Sequence, residues 1–256
     1  MIETPLDRAM AAMSSGAEDD AARMAFYSRL IDAELFLLLQ SEPVDGAIEP
    51  QVFDLSDGRF VLVFDTEERL AAFAGGIQPY VAITGRTLAK MLVKQGLGFG
   101  LNVDVAPSTF FVPADGVSWL AGTVFEEPDA REARVIEVFS PHNVTEAFLV
   151  ALDAKLGVAE GLARFAYLVD AKYEDGSEGR LLGFVDALDG VQHALAKSVN
   201  EALVFSGEEG GLDVAFFSGA DSVVAHLASC GIRLDLPAVQ EAPAKGQDKD
   251  RPPRLR

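Results

Sequence analysis

Along residues 59–92, RFVLVFDTEERLAAFAGGIQPYVAITGRTLAKML, apolar runs of strand length alternate with apolar stripes of helical period. Phe60, Val61, Leu62, Val63 and Phe64 form an unbroken apolar run, which predicts a buried strand. Asp65 and Glu68 have the D-x-x-E spacing of a capping box, so a helix is expected from there, with Leu70 and Phe73 on its buried side and Gly75-Gly76 ending it. The same order follows again: a strand over 80–83, Thr84 as cap, and Leu88, Met91 and Leu92 as the stripe of a second helix.

Upstream, Thr4 and Pro5 open a short helix, and 19–30 carries a broad apolar side that predicts another. Leu35 to Leu39 fits either a buried strand or a continuation of that helix; Asp32 interrupts the helical period and favours the strand. Segments 51–55 and 60–64 pair across Asp57-Gly58 as a hairpin. Downstream, Gly96, Gly98 and Gly100 punctuate a helix end and a strand, 109–112 predicts a further strand, and Pro113 opens a helix that buries Val117, Trp119 and Leu120.

Residues 126–132, EEPDARE, are acidic and carry a proline, and the domain boundary is expected there. Beyond it the pattern predicts strands over 134–139, 162–170, 181–185, 211–217 and 232–236. Three helices alternate with them, the first capped by Asn143 with Glu146 and the last by Ser218 with Asp221. The order β-α-β-β-α-β-α-β begins like a ferredoxin-like unit. The expected class is α+β, with two α/β subdomains of mixed sheets, the second ferredoxin-like (βαββαβ plus an extra αβ). Their expected spans are 1–125 and 126–239, and 240–256, polar and proline-bearing, is expected to be disordered.

Charge changes the picture most. Residues 1–125 carry 8 basic and 17 acidic groups, residues 126–239 carry 8 and 20, and 240–256 carry 5 and 3, giving −9, −12 and +2 and a total of −19. So acidic a body repels phosphate backbones and anionic lipid, and no nucleic-acid or membrane partner is expected. The longest apolar run, 147–152, is too short for a membrane span, and no basic leader precedes an apolar stretch. The single cysteine, Cys230, forms neither an internal disulfide nor a zinc quartet, as in a reducing cytoplasm, and its place at a helix C-terminus predicts a buried, inert thiol.

Chemistry-bearing motifs are sparse. The glycine-rich segment lies in the order helix, glycines, strand, whereas phosphate loops run strand, glycines, helix. The three histidines, His142, His193 and His226, stand apart in sequence, and only His142 precedes a helix in a loop suited to presenting donors. No nucleophile elbow, zinc motif or P-loop occurs, so no catalytic residue, metal site or cofactor is predicted. The candidate contact surface is Arg86, Lys90, Gly96, Gly98, Asn102 and His142, where a pocket holding both cations would suit an anion.

The segments VLVFDTEERLAAF, YVAITGRTLAKML, GLGFGLN and FFVPADGVSWLAG, taken in that order, make the first half of the chain resemble the N-terminal domain of the SseB family, bacterial proteins named for enhanced serine sensitivity. The second half resembles, by element order, the domain that often accompanies it. The resemblance implies a cytoplasmic two-part α/β protein with no assigned catalytic residue. It departs at Asn102-Val103-Asp104, where the family commonly reads Asn-Pro-Gly. The expectation is a non-catalytic protein-interaction or regulatory module, with a binding site for an amino acid or anion, or an enzyme, as the alternative.

Overall fold

The computed structural model describes residues 2–15, 20–43, 48–125 and 133–237. Its first half runs α1 (Pro5–Ser15), α2 (Asp20–Asp32), β1 (Glu34–Leu38), β2 (Val52–Leu55), β3 (Gly58–Phe64), α3 (Glu67–Ala74), β4 (Tyr80–Thr84), α4 (Gly85–Val93), β5 (Gly98–Leu101), β6 (Phe110–Val112) and α5 (Ala114–Phe125). The second runs β7 (Val135–Phe139), α6 (Glu146–Leu156), β8 (Phe165–Tyr173), β9 (Glu178–Val185), α7 (Gln192–Ser206), β10 (Leu212–Phe217), α8 (Ser222–Cys230) and β11 (Ile232–Asp235). The class is α+β, with two mixed sheets, one in each half.

The apolar run at Phe60 to Phe64 is the centre of the first sheet, ordered β4-β1-β3-β5-β6. One edge of β3 pairs with β5 in parallel, and the other is shared end to end by β1 and β2. Alternation along the strands separates two cores. Leu35, Leu37, Val61, Val63, Phe99 and Leu101 face the layer of α1, α2, α4 and α5. Leu38, Leu62 and Phe64 face Leu70 of α3 on the opposite side. A strand buried on both faces reads as a continuous apolar run, which is why β3 shows no polar alternation.

In the second half β8 has the same central place. It pairs with β9 along one edge, and β7 and β11 share the other, at residues 170–173 and 165–168 respectively. The ferredoxin-like expectation fails on strand order. That topology would seat β7 between β9 and β10, whereas here β10 pairs directly with β9 and β7 pairs with β8. Element order alone does not distinguish the two sheets. Helices α6 and α7 cover one face through Phe148, Leu152, Leu195 and Val199, and α8 covers the other through Leu227.

Helix α7 also joins the halves. Its Phe205 lies within the core of the first half, with its ring edge-on to Trp119, whose other neighbour is Tyr27. Trp119 is 41% exposed, so the expectation of a core tryptophan holds only for one side of the ring. Cys230, expected buried, is half-buried, its thiol donating to the His226 carbonyl at 3.3 Å. The expected boundary at 126–132 and tail at 240–256 lie outside the described residues.

Candidate functional site

Three polar constellations stand out, and each holds one of the residues named from the sequence: Asn102, Arg86 and His142. The first lies at the ends of the parallel pair β3 and β5. Thr4 caps α1, and its amide donates to Asp7 at 2.9 Å while its hydroxyl accepts from the Asp7 amide at 3.2 Å. Asp65, read from sequence as the cap of α3, has another role: the cap is Thr66, whose hydroxyl accepts from the Arg69 amide at 3.2 Å. Asp65 instead accepts from the Arg69 guanidinium at 2.8 and 3.0 Å. The same guanidinium reaches Asp7 through both terminal nitrogens, at 3.1 Å from Nη1. Arg69 is 1% exposed, and its Nε has no partner.

Asn102 completes this network from the β5 end. Its backbone is left-handed, φ 48°, a region asparagine tolerates. Its carboxamide oxygen accepts from the Asp65 amide at 3.1 Å, its nitrogen donates to Ser108 at 2.8 Å, and Ser108 donates to Asp7 at 2.6 Å. Burial pushes the Asp7 carboxyl up, but hydrogen bonds from Arg69, Ser108 and the Thr4 amide outweigh it and hold the group well below the usual carboxylate range. Fully buried, Asn102 is a brace and offers no contact surface.

The second constellation ties the halves together. Arg86 of α4 donates to Glu201 of α7 at 2.5 and 2.6 Å and to Asp32 of α2 at 2.5 Å. Lys155 of α6 donates to the same two carboxylates, at 2.6 Å to Asp32 and 3.0 Å to Glu201. Each cation touches each anion, so the ring is neutral. Above it, α2 and α6 form the walls and α7 the floor of a trough of about 790 Å³, lined mainly by small and apolar residues including Ala25, Ala147, Ala151 and Val150. Val150 and Val158 are 63% and 83% exposed along it.

The third surrounds His142, in an open polar cleft of about 730 Å³. Its Nδ1 and its backbone amide both lie 2.9 Å from Asp170 Oδ2, and the side chain is 71% exposed. Thr145, and not Asn143 as the spacing suggested, caps α6, and Asn143 is left-handed at φ 53°. The Thr145 hydroxyl donates to Glu208, which also accepts from Arg180 at 2.7 Å. Burial raises the Glu208 carboxyl, yet these two partners bring it below its ordinary value. With its proton turned to Glu208, the Thr145 hydroxyl is not aimed at the imidazole and forms no nucleophile–base pair with it.

The structure therefore separates the predicted contact residues. Arg86 has its whole fork on carboxylates, Lys90 lies on the exposed side of α4, and neither they nor 96–102 line the trough as an anion site; only Arg86 borders it. Gly96 is exposed at φ 61°, where the chain leaves α4, whereas a Cβ on Gly98 would sit 2.6 Å from the Val112 carbonyl oxygen. Among the described residues no group of three or more His, Cys, Asp or Glu is placed to hold a metal ion, and no helix is long and apolar enough to cross a membrane. Arg69 was legible only as an i,i+4 partner of Asp65. The contact across 46 positions between Lys155 and Glu201 left no local signal.

These features define a two-part α+β protein in which the strongest buried charges serve the scaffold. Residues 6–119 match the family model of the SseB protein N-terminal domain, the resemblance that the four segments carried. No curated protein and no solved structure matches the chain.

Proposed function

We propose that the protein is a non-catalytic interaction module whose trough between α2 and α6 receives a helix of a partner protein. One observation carries this reading: a mainly apolar, solvent-open trough lies at the junction of the two halves, with Val150 and Val158 exposed along it. Its alanine walls allow a third helix to approach closely, and an amphipathic helix would bury both valines. The neutral ring beside it holds α2, α4, α6 and α7 together, and Arg29 and Glu146 add one charge of each sign to the lining. The test is paired capture from the native lysate by wild type and by Ala151→Glu, quantified by mass spectrometry. A partner retained by wild type and lost by the variant is expected, and identical recovery by both refutes the trough as the contact.

A second reading, a small-molecule site, is favoured by the cleft at His142, where Asp170 fixes the imidazole through Nδ1. Thermal-shift screening with amino acids and inorganic anions tests it. A saturable rise in melting temperature that is lost in His142→Ala supports this reading, and a flat response across the screen removes it.

A further inference from the structure

Strand β10 ends the second sheet on the side of β9. It pairs in parallel with β9, from Leu212 beside Arg180 to Phe217 beside Val185, and among the described residues no strand pairs with its other edge. Exposed edges are ordinarily guarded by lysine, proline or a bulge, because open backbone groups recruit other strands. The sequence here is LDVAFF, with no such guard. Its one charge, Asp213, accepts the Tyr173 hydroxyl at 2.5 Å and so is engaged within the sheet.

The edge is also roofed. A cleft of about 520 Å³ follows residues 212–216, with Gln192, Ala196 and Asn200 of α7 on one wall and Val135 and Leu181 on the other. Leu212, Val214 and Phe216 pack toward α7, and Ala215 and Phe217 toward α8. A strand added at this edge would thus find its backbone partners in β10 and alternate pockets on its two sides.

Charge selects the occupant. From residue 198 to residue 232 the chain has five carboxylates and no lysine or arginine; Glu201 is held by Arg86 and Lys155 and Glu208 by Arg180, which leaves Glu209 before the strand, Asp213 within it and Asp221 after it. Arg180, beside the start of β10, is neutralised by Glu208 at 2.7 Å. Apart from Asp213 the edge is apolar, with Glu209 ahead of it and Asp221 beyond it. A second copy would bring the same carboxylates together.

We infer that the open edge of β10 binds an extended segment of a partner protein, apolar at alternate positions and flanked by lysine or arginine, which joins the sheet as an added strand. This goes beyond the trough on α2 and α6, and either site stands without the other.

The probe is a synthetic fluorescent peptide of alternating valine and threonine with two lysines at each end, titrated into the full chain and read by anisotropy. Saturable binding is expected at low salt and should weaken as salt rises. Ala196→Lys, which fills and charges one wall, should weaken it about tenfold or more, a change of about 1.4 kcal/mol or more. Gln192→Lys, at an exposed position of the same wall, serves if Ala196→Lys does not fold. The same peptide N-methylated at alternate residues should lose binding in the methyl register that faces β10. No binding, or equal binding by wild type, both variants and both N-methylated registers, overturns the proposal. Sedimentation showing a wild-type dimer that Ala196→Lys dissociates also overturns it, by assigning the edge to self-pairing.

Discussion

Replacing Arg69 with methionine is the sharpest probe of the scaffold. The side chains of Arg69, Asp7 and Asp65 are 2%, 6% and 6% exposed, so the variant leaves two carboxylates facing each other without their cation. Removing one partner of a buried pair costs roughly 3–5 kcal/mol, and methionine keeps most of the buried volume, so the expected loss is about 4 kcal/mol. For a chain of this length that lowers Tm by roughly 8–16 °C. The assay is urea unfolding at pH 7, repeated near pH 4. Asp7 has a folded pKa below its unfolded one, so in the wild type its contribution is present above the unfolded value, about pH 4, and is lost as pH falls further through the folded value. In Arg69→Met the sign reverses: the unpaired carboxylates favour protons in the folded state, and acid relieves part of the penalty. The double variant Asp7→Asn/Arg69→Met should recover about 2 kcal/mol relative to Arg69→Met, because one carboxylate is gone. A loss below about 1 kcal/mol at pH 7, or one that is unchanged near pH 4, would refute a shared buried charge network.

Three further outcomes follow from the geometry. Glu201→Gln leaves Arg86 and Lys155 with Asp32 alone; it should cost roughly 2–3 kcal/mol, discounted for the partial exposure of Arg86 and Asp32, and double-mutant coupling to Lys155→Met measured by urea unfolding should exceed about 1 kcal/mol. Gly98→Ala, whose Cβ would meet the Val112 carbonyl and the Phe60 ring, should cost roughly 1–3 kcal/mol or more, whereas Gly96→Ala, in open space at φ 61°, should cost about 1 kcal/mol from backbone strain, and the order of their melting temperatures checks this. His142→Ala should change stability by less than about 0.5 kcal/mol in the same assay, since its imidazole is largely solvated.

The fold was legible wherever local chemistry was sufficient. The buried run of β3, the left-handed glycine ending α3 and the Thr84 cap of α4 each depend on neighbours within a few positions. The ambiguous Leu35 to Leu39 resolved as strand because both faces are covered, by α2 and by α3. Caps slipped by one or two positions where several polar residues compete: Asp65 yields to Thr66 because the Arg69 guanidinium one turn on claims its carboxylate, and Asn143 yields to Thr145 where its own backbone turns left-handed. Sheet order in the second half was not legible, because apolar alternation marks strands without naming their neighbours. The contact residues were hardest. Arg86, expected on a contact surface, instead ties the halves together, and its carboxylate partners lie 54 and 115 positions away.

The division of β8 between β7 and β11 bears on how the nascent chain acquires its shape. Every strand of the first sheet has been made once Val112 emerges and its helix layer follows with α5, so all of that half but Phe205 of α7 is able to assemble while the ribosome is still at work. The second sheet must wait for Ile232–Asp235 before residues 165–168 gain their neighbour. Until then β8 keeps half of one flank bare, a window in which a chaperone or a neighbouring polysome product has its best opportunity.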